Sequence, residues 1–157
     1  MIDAAHARAF LTSGRIAVVG ASDDPKNFGG TVLRALVDHG VDVVAVNPNE
    51  TAVGGATCFP SLAEVPGPID GAVVMVSGAK AEVVIRAAAE RNVPRVWLFK
   101  GIGGPGAATP DAVRLAQELG LDVVPGACPL MFLDPVRGAH RVHLAIRRLN
   151  GSVAKAA

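Results

Sequence analysis

Five short Val-rich runs punctuate this chain, and the segments between most of them carry apolar residues at helical spacing. The runs are Ile16 to Gly20, Val43 to Val46, Ala72 to Val76, Val96 to Phe99 and Val123 to Val124. Each is bounded by Gly, Pro or Asp and lacks helical spacing, as expected of parallel strands covered on both faces. Between them, Val32, Leu33, Leu36 and Val37 form one helical face, with Gly40 placed to end that helix. Val83, Val84, Ala87 and Ala88 form a second, ending near Asn92 and Pro94. A third starts at Thr109 as N-cap with Pro110 at the first helical position, and presents Ala112, Val113, Ala116 and Leu119 before Gly120. Flanking helices are expected from about Ala4 to Leu11 and from about Ala139 to Leu149. This alternation predicts a Rossmann-like, doubly wound parallel sheet of about five strands between two helical layers. The stretch from Pro48 to Pro68 reads as a long irregular connection, with one helical turn at Ser61 to Glu64.

Composition narrows the class further. The chain has 157 residues, half of them hydrophobic and 18% charged, with 18 Gly and 11 Pro spread between apolar runs. That excludes disorder and a fibrous architecture, and the length suits one domain over residues 1–157. The longest apolar run, Ala72 to Val76, is far shorter than the roughly 18 to 20 residues of a membrane-spanning helix. Asp3, His6 and Arg8 interrupt the amino-terminal segment, which has no signal-like apolar core, so a cytoplasmic location is expected. Two cysteines, Cys58 and Cys128, are too few for a disulfide scaffold and are expected as thiols. Through residue 134 there are ten basic and fourteen acidic side chains; beyond it stand Arg137, Arg141, Arg147, Arg148 and Lys155 with no acid. A basic end on a mildly acidic body suits an anion, and lacks the global basicity of a nucleic-acid protein.

In a sheet of this kind, ligands bind beyond the carboxyl ends of the strands, where backbone N–H groups and a helix amino terminus favour anions. The first run leads into Gly20-Ala21-Ser22-Asp23-Asp24-Pro25-Lys26-Asn27-Phe28-Gly29-Gly30, the chief candidate loop. A dinucleotide fingerprint requires Gly at its third and sixth positions, and these are Ser22 and Pro25. The second run ends in Asn47-Pro48 rather than in an acid that holds a ribose. No Gly-Lys-Ser/Thr triplet occurs, which excludes a P-loop. What remains is a hydroxyl, a lysine and two glycines entering a helix, suited to a diphosphate lying across the loop; glycines that merely turn the chain beside a solvated Lys26 are the alternative.

These residues resemble a known family. The succession Val18-Val19-Gly20-Ala21-Ser22, Asp24-Pro25-Lys26, Val46-Asn47-Pro48, Cys58-Phe59-Pro60-Ser61-Leu62 and Trp97-Leu98 is similar to the stand-alone CoA-binding proteins, themselves similar to the CoA-binding domain of the succinyl-CoA synthetase alpha subunit. The resemblance covers about residues 14–135. It implies that Gly20, Ala21 and Ser22 contact the CoA diphosphate, that Lys26 neutralises phosphate, and that Asn27 and Phe28 line the same mouth. It further implies that Val46, Asn47 and Pro48 flank the adenosine and that Val76 and Ser77 face the pantetheine arm. Two segments depart from the family pattern: Phe99-Lys100 followed by Gly101-Ile102-Gly103-Gly104-Pro105-Gly106, and Pro125 to Phe132 with the basic segment after it.

Other constellations carry weaker signals. Lys100, followed by Gly101, stands where a strand ends and is either a second phosphate or carboxylate ligand or a solvated side chain. Ser77 is placed to cap the helix starting near Gly78. Cys128 lies near where a ligand thiol would end, although burial as a small hydrophobe is the simpler reading. His140 and His143 share a helix face with Arg147, but two imidazoles without Cys or carboxylate partners point to no metal. No Gly-x-Ser-x-Gly elbow and no His-Glu-x-x-His motif occurs. The reading is therefore a binder of coenzyme A or a short acyl-CoA without catalysis of its own, acting as carrier, sensor or accessory. Two other readings stay open: an NAD(P)- or nucleotide-dependent enzyme on the same fold, and a regulatory interaction module with a vestigial site. No nucleic acid or membrane partner is expected; a homo-oligomer or a protein partner remains open.

Overall fold

The computed structural model describes residues 2–102, 104 and 106–134. The elements follow in the order α1 (Ala4–Leu11), β1 (Ile16–Val19), α2 (Phe28–Asp38), β2 (Val43–Val46), β3 (Ala52–Val53), β4 (Ala56–Phe59), β5 (Gly71–Val74), α3 (Ala79–Glu90), β6 (Arg95–Phe99), α4 (Pro110–Glu118) and β7 (Asp122–Ala127). The strands make one sheet in the order β3-β4-β2-β1-β5-β6-β7. Every pairing is parallel except that of β3 with β4. Residues Ile16 to Val19 are all buried, because helices cover both faces of β1.

Alternation along each strand sorts the core into two layers. Ile16, Val18, Val73 and Trp97 face a cluster with Phe10 of α1 and Leu33 and Leu36 of α2. Ala17, Val19, Val74 and Leu98 face the other cluster, with Ile85 and Ala88 of α3 and Ala112 and Ala116 of α4. Trp97 anchors the first layer. Its ring meets Phe10 edge-on with centroids 5.5 Å apart and Phe132 at the same separation, and its Nε1–H donates to the Ala127 carbonyl at 2.8 Å.

Helix chemistry follows the expected signals at α4, where the Thr109 hydroxyl accepts from the Ala112 N–H at 3.1 Å and Pro110 takes the first position. The irregular connection expected from Pro48 to Pro68 is corrected. It contains the hairpin β3–β4, and β4 extends the sheet beside β2, giving seven strands rather than about five. Gly54 (φ +56°) and Gly55 (φ +81°) form its two-residue turn, which requires left-handed backbone at both positions. The turn expected near Ser61 is present as a 3-10 turn over Leu62–Glu64. β7 runs longer than Val123 to Val124 and tolerates Pro125 as an edge strand, with an irregular register against β6 between Leu98 and Phe99. The helix expected from about Ala139 to Leu149, with His140, His143 and the basic residues from Arg137 to Lys155, lies outside the described residues. Among the described residues no helix is long and apolar enough to cross a membrane.

Replacing Trp97 with Ala removes a fully buried ring and its hydrogen bond, and is expected to cost about 3 to 5 kcal/mol in urea unfolding. A loss below about 1 kcal/mol would mean that this layer does not carry the fold.

Candidate functional site

The winding direction of the sheet changes at β1. From β1 the chain passes through α2 to β2 on one side, and after the hairpin it returns to β5 on the other side of β1. The helices α2 and α3 therefore cover opposite faces, and a crevice opens beyond the carboxyl ends of the strands between them.

Gly20 is the first residue of that crevice. Its N–H donates to the Val46 carbonyl at 2.9 Å, its φ is +94°, and a Cβ there would lie 2.7 Å from Val76 Cγ1. Its carbonyl accepts from Asn27 Nδ2 at 3.1 Å, while Asn27 Oδ1 accepts from the Gly30 N–H at 3.0 Å and caps α2. One amide thus ties the start of the loop to the helix at its end. A Cβ on Gly30 would collide with the Ser22 carbonyl, so the glycine entry to α2 is a steric requirement. Asn47 Nδ2 donates to the carbonyl of buried Ala21 at 2.9 Å. The Ser22 hydroxyl donates to Glu50 Oε1 at 2.7 Å and accepts from the Asp24 N–H at 3.1 Å. Asp23 Oδ1 accepts from Arg34 Nη1 at 2.9 Å and from the Gly54 N–H at 3.0 Å. The loop is therefore stitched to the segment after β2 at three points. Lys26 is exposed on its outer rim.

On the α3 face of the same edge lies a cavity of about 510 Å³. Val19, Val46, Leu62, Val76, Val83 and Val84 give it apolar walls; Asn47, Asn49 and Ser61 add polar edges, and Lys80 is its charged lining residue. Of the residues singled out from sequence, Gly20, Val46, Asn47, Pro48 and Val76 meet at this cavity. Ala21, Ser22, Lys26 and Asn27 belong to the loop beside it. Phe28 opens α2 and its ring packs on Phe99 with centroids 5.5 Å apart. Lys100 and Gly101 lie past the end of β6, two strands from β1, with Lys100 exposed. Ser77 is exposed and does not cap α3, because Gly78 holds the N-cap position without any side-chain bond to the helix.

Sequence reading missed Lys80, Leu62 and the double use of α3. Ala81, Ile85 and Ala88 face the core, while Lys80, Val83, Val84 and Ala87 repeat at helical spacing along the cavity. The signal was present, but the apolar half of that second stripe reads as core. Cys58, buried under the Asn47 turn with Sγ 3.6 Å from the Asn47 carbonyl, has its thiol pKa pushed up by burial, with the Glu50 charge adding to the shift. Cys128 is buried. Among the described residues no group of His, Cys, Asp or Glu is placed to hold a metal ion.

The family model described as a CoA binding domain matches residues 14–134. The uncharacterized protein YneT of Bacillus subtilis is 31% identical over 116 residues, covering 74% of this chain and 82% of that protein. The alpha subunit of the ADP-forming acetate–CoA ligase II of Pyrococcus furiosus is 30% identical over 125 residues, covering 76% of this chain but only 27% of the subunit. A hypothetical protein from Pyrococcus horikoshii superposes with a TM-score of 0.74 at 28% identity, over 86% of this chain and 92% of that one.

Replacing Asn27 with Ala is expected to destabilise the protein by about 1 to 2 kcal/mol, since the α2 cap and the anchor on Gly20 are lost together. Asn27→Asp keeps the capping oxygen and should recover part of that loss in thermal unfolding; equal stability of all three proteins would contradict the tie.

Proposed function

The chain belongs to the CoA binding domain family, whose model spans residues 14–134, and from that premise we propose that its crevice binds coenzyme A or a short acyl-CoA as a carrier, sensor or accessory, without chemistry of its own. The observation that carries the reading is the cavity at the ends of β1 and β2, which joins the Gly20–Asn27 loop through Gly20 itself. Its volume lies within the range of small-molecule sites, roughly 300 to 1,000 Å³. Valine and leucine walls suit the faces of a purine, and the Asn47 and Ser61 side chains suit its polar edges.

The diphosphate then lies along Gly20, Ala21 and Ser22. Lys26 supplies an ammonium from the loop and Lys80 one from the first turn of α3, where free N–H groups add partial positive charge. Asn27 serves this arrangement by fixing the loop, and Phe28 by packing its outer end. Val46, Asn47 and Pro48 flank the nucleoside. The pantetheine arm leaves past Val76 and Ser77 across the end of β5. Lys100 and Gly101 stand roughly 10 Å further along the edge, two strand spacings from β1, within reach of that arm.

Titration calorimetry with CoA, acetyl-CoA, NADH and ATP tests the reading. Micromolar binding of CoA or acetyl-CoA is expected, with little heat from NADH or ATP. Lys26→Ala and Lys80→Ala should each weaken CoA binding by about 1.5 to 3 kcal/mol if they make charge-assisted phosphate contacts. Preference for NADH would favour an oxidoreductase, and silence from every ligand an interaction module.

A further inference from the structure

The phosphate loop already holds an anion of its own. A hydroxyl carries a single proton, and that of Ser22 is donated to Glu50 Oε1 at 2.7 Å, while the same oxygen accepts from the Asp24 N–H. The loop's one side-chain hydroxyl is thus committed to a carboxylate at the place where a diphosphate would take it. Glu50 differs from its neighbour Asp23 in how its charge is met. Asp23 is paired with Arg34 and also accepts from the Gly54 N–H. Among the described residues, no ion pair involves Glu50.

The setting of Glu50 lets it move. It sits in the connection between β2 and β3, beside exposed Pro48, Asn49 and Thr51, and its N–H reaches the Asn47 carbonyl only at 3.4 Å. Glu50 is half-buried as a residue and belongs to neither apolar cluster of the core, so turning its side chain outward removes no member of the core.

We infer that Glu50 is a built-in competitor for the phosphate loop: it holds the Ser22 hydroxyl when no diphosphate is bound and must release it, and swing toward water, for a pyrophosphate-bearing nucleotide to seat. The inference rests on the loop being the diphosphate site. Glu50 is then a residue that sets affinity by opposing it, since two anions cannot share one hydroxyl proton and repel each other at this range.

Calorimetric titration of CoA into the wild type, Glu50→Gln, Glu50→Ala and Ser22→Ala, with melting temperatures to confirm folding, tests this. Glu50→Ala is expected to bind CoA about tenfold more tightly than the wild type, the size of one hydrogen bond set free, and Glu50→Gln, whose amide oxygen still accepts from Ser22 but carries no charge, about threefold more tightly. In a Ser22→Ala background the gain from Glu50→Ala should shrink to less than about threefold, because the contested proton is gone. Wild-type binding with unchanged affinity in both Glu50 variants would overturn the inference while leaving the CoA reading intact. Weaker binding in both would do the same and make Glu50 a direct ligand. Silence from the wild type and every variant would overturn the inference together with the reading beneath it.

Discussion

At the end of β1 several strands of backbone come so close that a side chain has no room, and the rest of the site follows from that crowding. Gly20 sits against Val76, the glycine entry to α2 sits against the Ser22 carbonyl, and the Gly20 N–H is spent on Val46. The crowding is possible because β1 is central: β2 and β5 flank it in parallel register, and their ends crowd the same edge. With helices leaving on opposite faces, the loop is held from both sides by Asn27 and Asn47, whose amides satisfy the carbonyls of Gly20 and Ala21.

The division of labour at this edge is electrostatic on one side and apolar on the other. The α2 side presents a turn with a hydroxyl, a lysine on the rim and two carboxylates; the α3 side presents a valine-lined cavity with Lys80 at its edge. A ligand with a charged middle and an aromatic end matches both at once, which neither side would specify alone. The acidic groups here are treated differently: Asp23 is paired with Arg34 and held to the hairpin, Asp24 accepts from the Lys26 N–H within the loop, and Glu50, from the β2–β3 connection, is set against Ser22. On the proposed reading, a diphosphate would enter this loop by exchange of partners, with Ser22 released from Glu50, and not by filling a preformed, fully satisfied nest.

Much of this was legible in the chain. α1 spans Ala4–Leu11 and β2 spans Val43–Val46 as their apolar patterns predict, and Thr109-Pro110 announces α4. The hairpin was not read, because β3 is two residues long and cannot display a period; its Gly54-Gly55 pair was the only sign. Ser22 and Glu50 are 28 residues apart, so their meeting is a product of topology. Asn27, which the family resemblance sets at the mouth of the site, also caps α2 and anchors the loop, a double use that a polar side chain before a helix does not reveal in sequence. Ser77 lost the capping role to Gly78, whose φ of +60° suits a turn a serine would resist.

The central claim is one of place: coenzyme A lies across the switch point, between the loop after β1 and the cavity beside α3. Mapping amide shifts of the isotope-labelled protein as CoA is added tests it most directly. The largest changes should fall on Gly20, Ala21, Ser22, Asn47 and Lys80, fading toward β7. Saturable changes confined to the far edge of the sheet, with these five amides unmoved, would contradict it.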